Sequence, residues 1–241
     1  MRLEQLEVLA ELGRGGMGVV YHARHEQSGQ EVALKVLVEA RGPEDVQRFE
    51  REGQAVARLQ HPGIVQVHAT GSEAGRPWMA MELVRGVSLR ERLRREGPLE
   101  PGAARRMFAK LASALEHAHR HDVLHRDLKP ENVMVGLYND VYVMDWGIFR
   151  LIGDPAPDER VTMSPDAVAA AGHGQTRDGM VLGTPSYMSP EQARGQVSRL
   201  DQRSDVFTLG VILAELITLR PARQSQSDEE ALAQAQRGYV A

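Results

Sequence analysis

Residues 125–132 read His125-Arg126-Asp127-Leu128-Lys129-Pro130-Glu131-Asn132, the densest polar cluster in the chain, and its reading decides the fold. Before it, Phe108, Leu111, Ala112, Leu115 and Ala118 recur at the i, i+3, i+4, i+7 spacing of a helix. After it, Val133-Met134-Val135 reads as a strand. Asp127, Lys129 and Asn132 together offer an acceptor for a hydroxyl proton, a cation for phosphate and an oxygen for a metal. A solvated loop carries these residue types too. Chance is a poor explanation because a further carboxylate, Asp145, ends the next apolar run in Val143-Met144-Asp145-Trp146-Gly147. Asn132 and Asp145 are hard oxygen donors suited to Mg²⁺, which completes its shell with waters and substrate phosphates.

Toward the N-terminus the pattern becomes one of short strands. VLAELG and VVYHAR flank a glycine cluster, EVALKVLV follows the Ser28-Gly29 turn, and IVQVHAT and WMAMELV come later. One helix interrupts them, starting near Pro43, with Val46, Phe49, Gly53, Val56 and Ala57 at helical spacing up to the His61-Pro62-Gly63 break. Gly13, Gly15 and Gly18 have the GxGxxG spacing that lets backbone N–H groups approach phosphate oxygens, although plain turns use glycine as well. A dinucleotide site needs a helix directly after the glycines, and a Walker loop needs Gly-Lys-Ser/Thr; neither follows here. Lys35 is a single ammonium group in an apolar strand. Unless it lies on the surface it needs an anion, and Glu52 on the following helix can supply one, leaving Lys35 aimed at phosphate.

Toward the C-terminus helices prevail. Ser88 and Glu91 form a capping box that opens LRERLRRE, and Gly97-Pro98 closes it. The change of regime near Arg85-Gly86 is the expected boundary. Between Asp145 and Glu191 the chain is rich in Gly, Pro, Asp and Ser without a sustained period, as functional or disordered loops are. VFTLGVILAELITL is apolar nearly all round and predicts a helix buried on every side. The tail QSQSDEEALAQAQRGYVA predicts one weak helix.

Composition sets the outer limits. The chain has 241 residues, which at about 150 per domain suggests one large domain or two lobes sharing a cleft. A net charge of -4 gives no reason to bind nucleic acid. Cys 0 excludes disulfides, thiolate metal sites and a cysteine nucleophile, and points to a reducing, cytoplasmic location. No secretion signal is apparent, and Val206 to Leu219 is shorter than the ~20 apolar residues a bilayer span requires. No membrane segment is therefore expected within the chain; an anchor beyond Ala241 stays open.

GRGGMGVV, VALK, Glu52, HRDLKPEN, DWG, GTPSYMSPE and DQRSDVFTLG occur in the order and approximate spacing of the protein kinase superfamily. The chain most resembles the eukaryotic-like Ser/Thr kinases of bacteria, over about residues 6–221. The resemblance implies an α+β, bilobal kinase-like fold. Its small antiparallel β lobe with one helix would be residues 1–84. Its mainly helical large lobe would be residues 85–241, incomplete at its C-terminal end, with an activation segment at 145–191. It further implies that Leu12, Gly13, Arg14, Gly15, Gly16 and Gly18 cover the triphosphate of ATP, and that Val20 and Ala33 sandwich the adenine. Met81 would be the gatekeeper and the backbone from Glu82 to Val84 the hinge. Lys35, held by Glu52, would bind the α- and β-phosphates. Asp127 would orient the acceptor hydroxyl and take its proton, Lys129 would steady the γ-phosphate, and Asn132 and Asp145 would hold Mg²⁺, or Mn²⁺ in its place. Lys129 with Thr184 is the Ser/Thr pattern, so protein Ser or Thr is the expected acceptor. A homodimer for trans-autophosphorylation is a further expectation. Arg126 before the catalytic Asp implies neutralisation by an activation-segment phosphate, with Thr176 the first candidate site and Thr162 and Ser164 behind it.

The chain also departs from the pattern. Trp146 stands where the family has Phe, and Ser189 where it has Ala. The family continues for several helices beyond Pro221, so apolar surface near the Val206 to Leu219 helix is expected to be exposed or covered by a partner. An ATP-binding pseudokinase or regulatory scaffold is the alternative. His117 and His121 share a helical face and admit a metal-site reading, against exposed or core-satisfied histidines. Arg90, Arg92, Arg94 and Arg95 admit an anion-docking surface, against a solvated helix face, which is the expected reading.

Overall fold

The structure is a computed structural model and describes residues 2–3, 5–15, 18–38, 43–146, 150–151, 183–221, 223, 225 and 227–240. The chain divides into two compact units, Met1–Arg85 and Gly86–Ala241.

The first unit is an antiparallel sheet with one helix. Its strands are β1 (Arg2–Leu3), β2 (Leu6–Gly15), β3 (Gly18–His25), β4 (Glu31–Val36), β5 (Val67–Glu73) and β6 (Arg76–Glu82), in the spatial order β1-β2-β3-β4-β6-β5. Helix α1 (Pro43–Ala57) packs on β5 and β6. Alternation of side chains along each strand decides what each face carries. Val32, Leu34 and Val36 of β4 join Leu6, Ala23, Trp78 and Ala80 in a buried apolar cluster, with Val8 and Tyr21 packed against it. Burying one such aliphatic side chain contributes about 1.5–3 kcal/mol. Ala33 and Lys35 take the opposite face. The register Gly13↔Val20, Val20↔Lys35 and Lys35↔Met79 sets these residues in one row across four strands, and Ala33↔Met81 lies in the neighbouring row.

The second unit is mainly helical: β7 (Gly86–Ser88), α2 (Leu89–Glu96), α3 (Pro101–Arg120), β8 (Val123–Leu124), β9 (Val133–Gly136), β10 (Val141–Val143), β11 (Arg150–Leu151), α4 (Pro190–Ala193), α5 (Gln202–Thr218) and α6 (Asp228–Gln236). Ser88 caps α2 by accepting from the Glu91 N–H at 3.1 Å, and Gly97 at φ 83 ends it. Helix α3 buries Ala104, Met107, Leu111, Ala114, Leu115 and Ala118, one stripe facing the core. Phe108 and Ala112, expected on that stripe, flank it and are half-buried. Helix α5 corrects a second expectation. It is not buried all round, since Val206 is 59% and Ile217 44% exposed while Leu209, Ile212 and Leu216 are buried. Uniform apolarity in sequence does not report which side has a neighbour.

Candidate active site

In the first unit, Lys35 Nζ lies 2.8 Å from Glu52 Oε1, with side chains only 12% and 4% exposed. The partner foreseen for the strand ammonium is therefore in place. The geometry follows from two local facts. Residue 35 shares its face of β4 with Ala33, toward α1, and Phe49, three residues before Glu52, sets its ring 5.9 Å from the Lys35 ammonium. Removing one partner of such a buried pair costs about 3–5 kcal/mol, because the other charge stays dehydrated. Gly53 lets the helix approach the sheet: a Cβ there would lie 2.8 Å from the Thr70 methyl and 3.1 Å from the Met79 methyl. Val20, Met81, Glu82 and Val84 are half-buried, Ala33 is buried, and Leu12, Gly13 and Arg14 are exposed. Gly16 lies outside the described residues.

Gly13 and Gly18 have different reasons to be glycine. A Cβ at Gly13 would meet nothing within 4 Å, whereas one at Gly18 would sit 2.1 Å from the carbonyl oxygen of Val36. Gly18 is required by the approach of β3 to β4. Gly13 leaves open space above the sheet.

In the second unit, Asp127, Lys129, Asn132 and Thr184 converge. Asp127 Oδ1 accepts from the Thr184 N–H and hydroxyl, each at 2.9 Å. Lys129 Nζ donates to Asp127 Oδ2 at 2.8 Å and to Thr184 Oγ1 at 2.9 Å, closing a triangle of carboxylate, ammonium and hydroxyl. Asn132 Nδ2 donates to the Asp127 carbonyl at 2.8 Å. Its amide oxygen accepts no bond from the described residues and could face a hard cation. The Met144 N–H donates to the Asn132 carbonyl at 3.0 Å, so the next residue, Asp145, is tethered to Asn132 by the backbone. Asp145 is exposed and adopts φ 61, a left-handed conformation uncommon for non-glycine residues, Asp and Asn being the types that take it most readily. Among the described residues no three His, Cys, Asp or Glu side chains converge on one point.

The loop is held from beneath by residues that the sequence reading did not assign. Asp205, in the first turn of α5, is buried; its Oδ1 accepts from the Arg126 N–H at 2.9 Å. Its Oδ2 accepts from the His125 N–H at 2.9 Å and faces His119 Nε2 at 2.8 Å. Burial raises the Asp205 pKa, but the bond to His119, the neighbouring His125 ring and the backbone N–H groups outweigh it and hold the carboxyl below its ordinary range. These bonds fix Arg126 at φ 67. Gln192 Nε2 donates to the Arg126 carbonyl at 2.5 Å from the other side. Gly183 is needed there: it has φ 113, and a Cβ would lie 2.9 Å from Gln192 Nε2 and 3.1 Å from the Arg126 carbonyl. His125 accepts from the Asp127 N–H through Nδ1 at 3.3 Å, which assigns its proton to Nε2, 3.1 Å from the Met144 carbonyl. Trp146 packs against His125 with ring centroids 4.6 Å apart and planes tilted by 46°, and it is buried, so the larger aromatic is accommodated by packing on the loop.

Arg90 overturns the solvated-face expectation. Its side chain is 21% exposed; Nε donates to Glu131 at 2.7 Å, Nη1 to Glu215 at 2.5 Å and Nη2 to the Tyr187 hydroxyl. The Tyr187 hydroxyl donates to Glu215 at 2.6 Å. Burial and the Glu215 carboxylate together push the Tyr187 phenol far above its usual range. For Arg90, burial works to lower the pKa and the bonds to Glu215 and Glu131 outweigh it. The partners lie up to 125 residues away in sequence, beyond any local pattern. Arg92 is also half-buried, pairing with Glu96 at 3.1 Å and donating to the Asn139 side chain at 2.9 Å, while Arg94 and Arg95 are exposed and Arg95 pairs with Glu91 of its own helix. Thr162, Ser164 and Thr176 lie outside the described residues.

One unit is a sheet carrying a Lys–Glu pair and the other is mainly helical and carries an Asp–Lys–Asn loop, and comparison with known proteins gives the family. A model described as protein kinase domain matches residues 6–240, and the chain belongs to that family. Its relatives include the serine/threonine-protein kinase PknB of Mycolicibacterium smegmatis, 40% identical over 216 residues, which are 87% of this chain and 32% of the relative. PknB of Mycobacterium tuberculosis is 42% identical over the same shares of both chains. The serine/threonine-protein kinase pkn3 of Myxococcus xanthus is 44% identical over 218 residues, 88% of this chain and 37% of the relative. The chain spans about a third of the length of the curated relatives it matches. The resemblance to bacterial Ser/Thr kinases, and the sheet-then-helices fold it implied, are both borne out. Among the described residues no helix is long and apolar enough to cross a membrane.

Proposed function

We propose that this domain is a serine/threonine protein kinase that transfers the γ-phosphoryl group of ATP to hydroxyls of protein substrates, itself included. The observation that carries the reading is the closed contact of Asp127, Lys129 and Thr184, which holds a carboxylate and an ammonium 2.8 Å apart. Phosphoryl transfer passes through a loose transition state, so positioning and charge neutralisation matter more than a strong base. Asp127 is suited to that role: Oδ1 is fixed by Thr184, and the carboxylate accepts the proton that the acceptor hydroxyl loses as its oxygen bonds to the γ-phosphorus and the bond to the β–γ bridging oxygen breaks, releasing ADP. Lys129 stays beside it as a cation for the transferring oxygens. Lys35, oriented by Glu52, supplies a second cation for the α- and β-phosphates, and the open space at Gly13 leaves room for the triphosphate.

The family implies a divalent metal, and the donors fit one: the Asn132 amide oxygen, to which none of the described residues donates, and the exposed carboxylate of Asp145. Those two residues would hold Mg²⁺, or Mn²⁺ in its place. The bound ion would neutralise phosphate charge. Zero cysteine and the need for ATP favour a cytoplasmic location. Arg126 is the residue that a phosphate at Thr176, Thr162 or Ser164 would neutralise, and phosphorylation within a homodimer is the proposed route.

An acceptor series tests the reading. With Mg-ATP labelled in the γ position, serine and threonine peptides are expected to take up label and tyrosine peptides to take up none. ATP binding with no transfer to any acceptor would return a pseudokinase instead.

A further inference from the structure

Arg223, on the segment between α5 and α6, is 2% exposed. Nη1 donates to the carbonyls of Pro185 and Ser186, each at 2.9 Å, Nη2 to that of Met188 at 2.8 Å, and Nε to that of Tyr239 at 3.1 Å. The guanidinium carbon lies 5.9 Å from the centre of the Phe207 ring. Among the described residues every hydrogen-bond acceptor of this buried cation is a main-chain carbonyl and none is a carboxylate. Burial alone pulls its pKa down from the arginine range.

A charge in such a place is costly unless its surroundings are fixed to receive it. Here they are fixed carbonyl by carbonyl. The Tyr187 carbonyl accepts from the Thr208 hydroxyl at 3.0 Å, and the Thr184 carbonyl from the Tyr187 N–H at 2.9 Å. Every carbonyl from residue 184 to 188 therefore has a donor, and Arg223 supplies three of them. The same segment begins at Thr184, whose N–H and hydroxyl hold Asp127 Oδ1. A hydroxyl brought to Asp127 arrives beside residues 185–188. Only the planar fork of an arginine spans carbonyls so distributed; a lysine offers its donors from a single atom.

We propose that Arg223 is a positioning residue for the acceptor: by clamping the carbonyls of 185, 186 and 188 it sets the surface along which the substrate chain lies. This rests on the kinase reading of the Asp127 site.

Arg223→Met and Arg223→Lys in the full chain test it by two readouts. Steady-state kinetics with a serine peptide from the acceptor series should give a peptide KM about tenfold higher in Arg223→Met, the size expected for losing hydrogen bonds from a charged group, with the ATP KM within about twofold. Arg223→Lys should fall between Met and wild type. Hydrogen exchange should show the amides of 186–188 losing protection while those of α3 keep theirs. The proposal is overturned if peptide KM and exchange are both unchanged in Arg223→Met, or if the ATP KM rises in step with the peptide KM. Should Arg223→Met not fold, Arg223→Lys is judged by the same criteria. If the wild type transfers no phosphate to any peptide, the kinase reading fails and exchange alone decides the clamp.

Discussion

Asp205 touches no proposed substrate atom, yet three bonds from its carboxylate shape the loop that carries Asp127. Its pKa lies below the ordinary value, so the folded state binds the Asp205 proton less tightly than the unfolded chain does. The stabilisation is therefore complete above the unfolded-state pKa of about 3.9 and is lost as pH falls through the lower folded value. Asp205→Asn should lower the unfolding free energy by about 3 kcal/mol near pH 7, since it leaves His119 and two backbone donors facing an amide. Urea denaturation at pH 7 and again below pH 4 checks the sign: the gap between wild type and variant should narrow in acid. An equal gap at both values would mean that the carboxylate charge is not what holds the loop.

Glycine spacing at the β2–β3 hairpin belongs to the element scale. The GxGxxG spacing treats Gly13 and Gly18 alike, but only Gly18 abuts the backbone of β4. Gly18→Ala should destabilise the sheet by about 1–3 kcal/mol through overpacking against the Val36 carbonyl. Gly13→Ala should leave the thermal midpoint within about 2 °C and, on the kinase reading, act on ATP binding instead. Thermal unfolding of the two variants side by side separates them; equal losses would put both glycines in the sheet packing. Much of this level was legible in advance. The Ser88–Glu91 cap, the α3 stripe and the β4 alternation are local patterns, and each element formed where its pattern lay. Legibility failed where burial depends on a distant partner. Arg90 reads as one of several solvated arginines until Glu131, Tyr187 and Glu215 surround it, and the apolar circumference of α5 does not reveal that Val206 and Ile217 face outward.

At the scale of the whole molecule, the two units carry different halves of the proposed chemistry. Lys35 and Glu52 lie in Met1–Arg85; Asp127, Lys129, Asn132 and Asp145 lie in Gly86–Ala241. The residues of HRDLKPEN were readable because they are contiguous, so their types and order survive in the sequence. Asp205, Gln192 and Arg223 were not, because each acts on backbone groups of a segment far away along the chain, and backbone atoms leave no trace in sequence. Asp205 and Gln192 hold the Asp127 loop through the backbone of residues 125 and 126. The most direct test of the account compares wild type with Asp127→Asn, measuring ATP binding by calorimetry and phosphate transfer to a serine peptide in the same preparations. ATP affinity should be retained within about threefold while transfer falls by at least ~10³. Equal transfer by the two proteins would contradict the account.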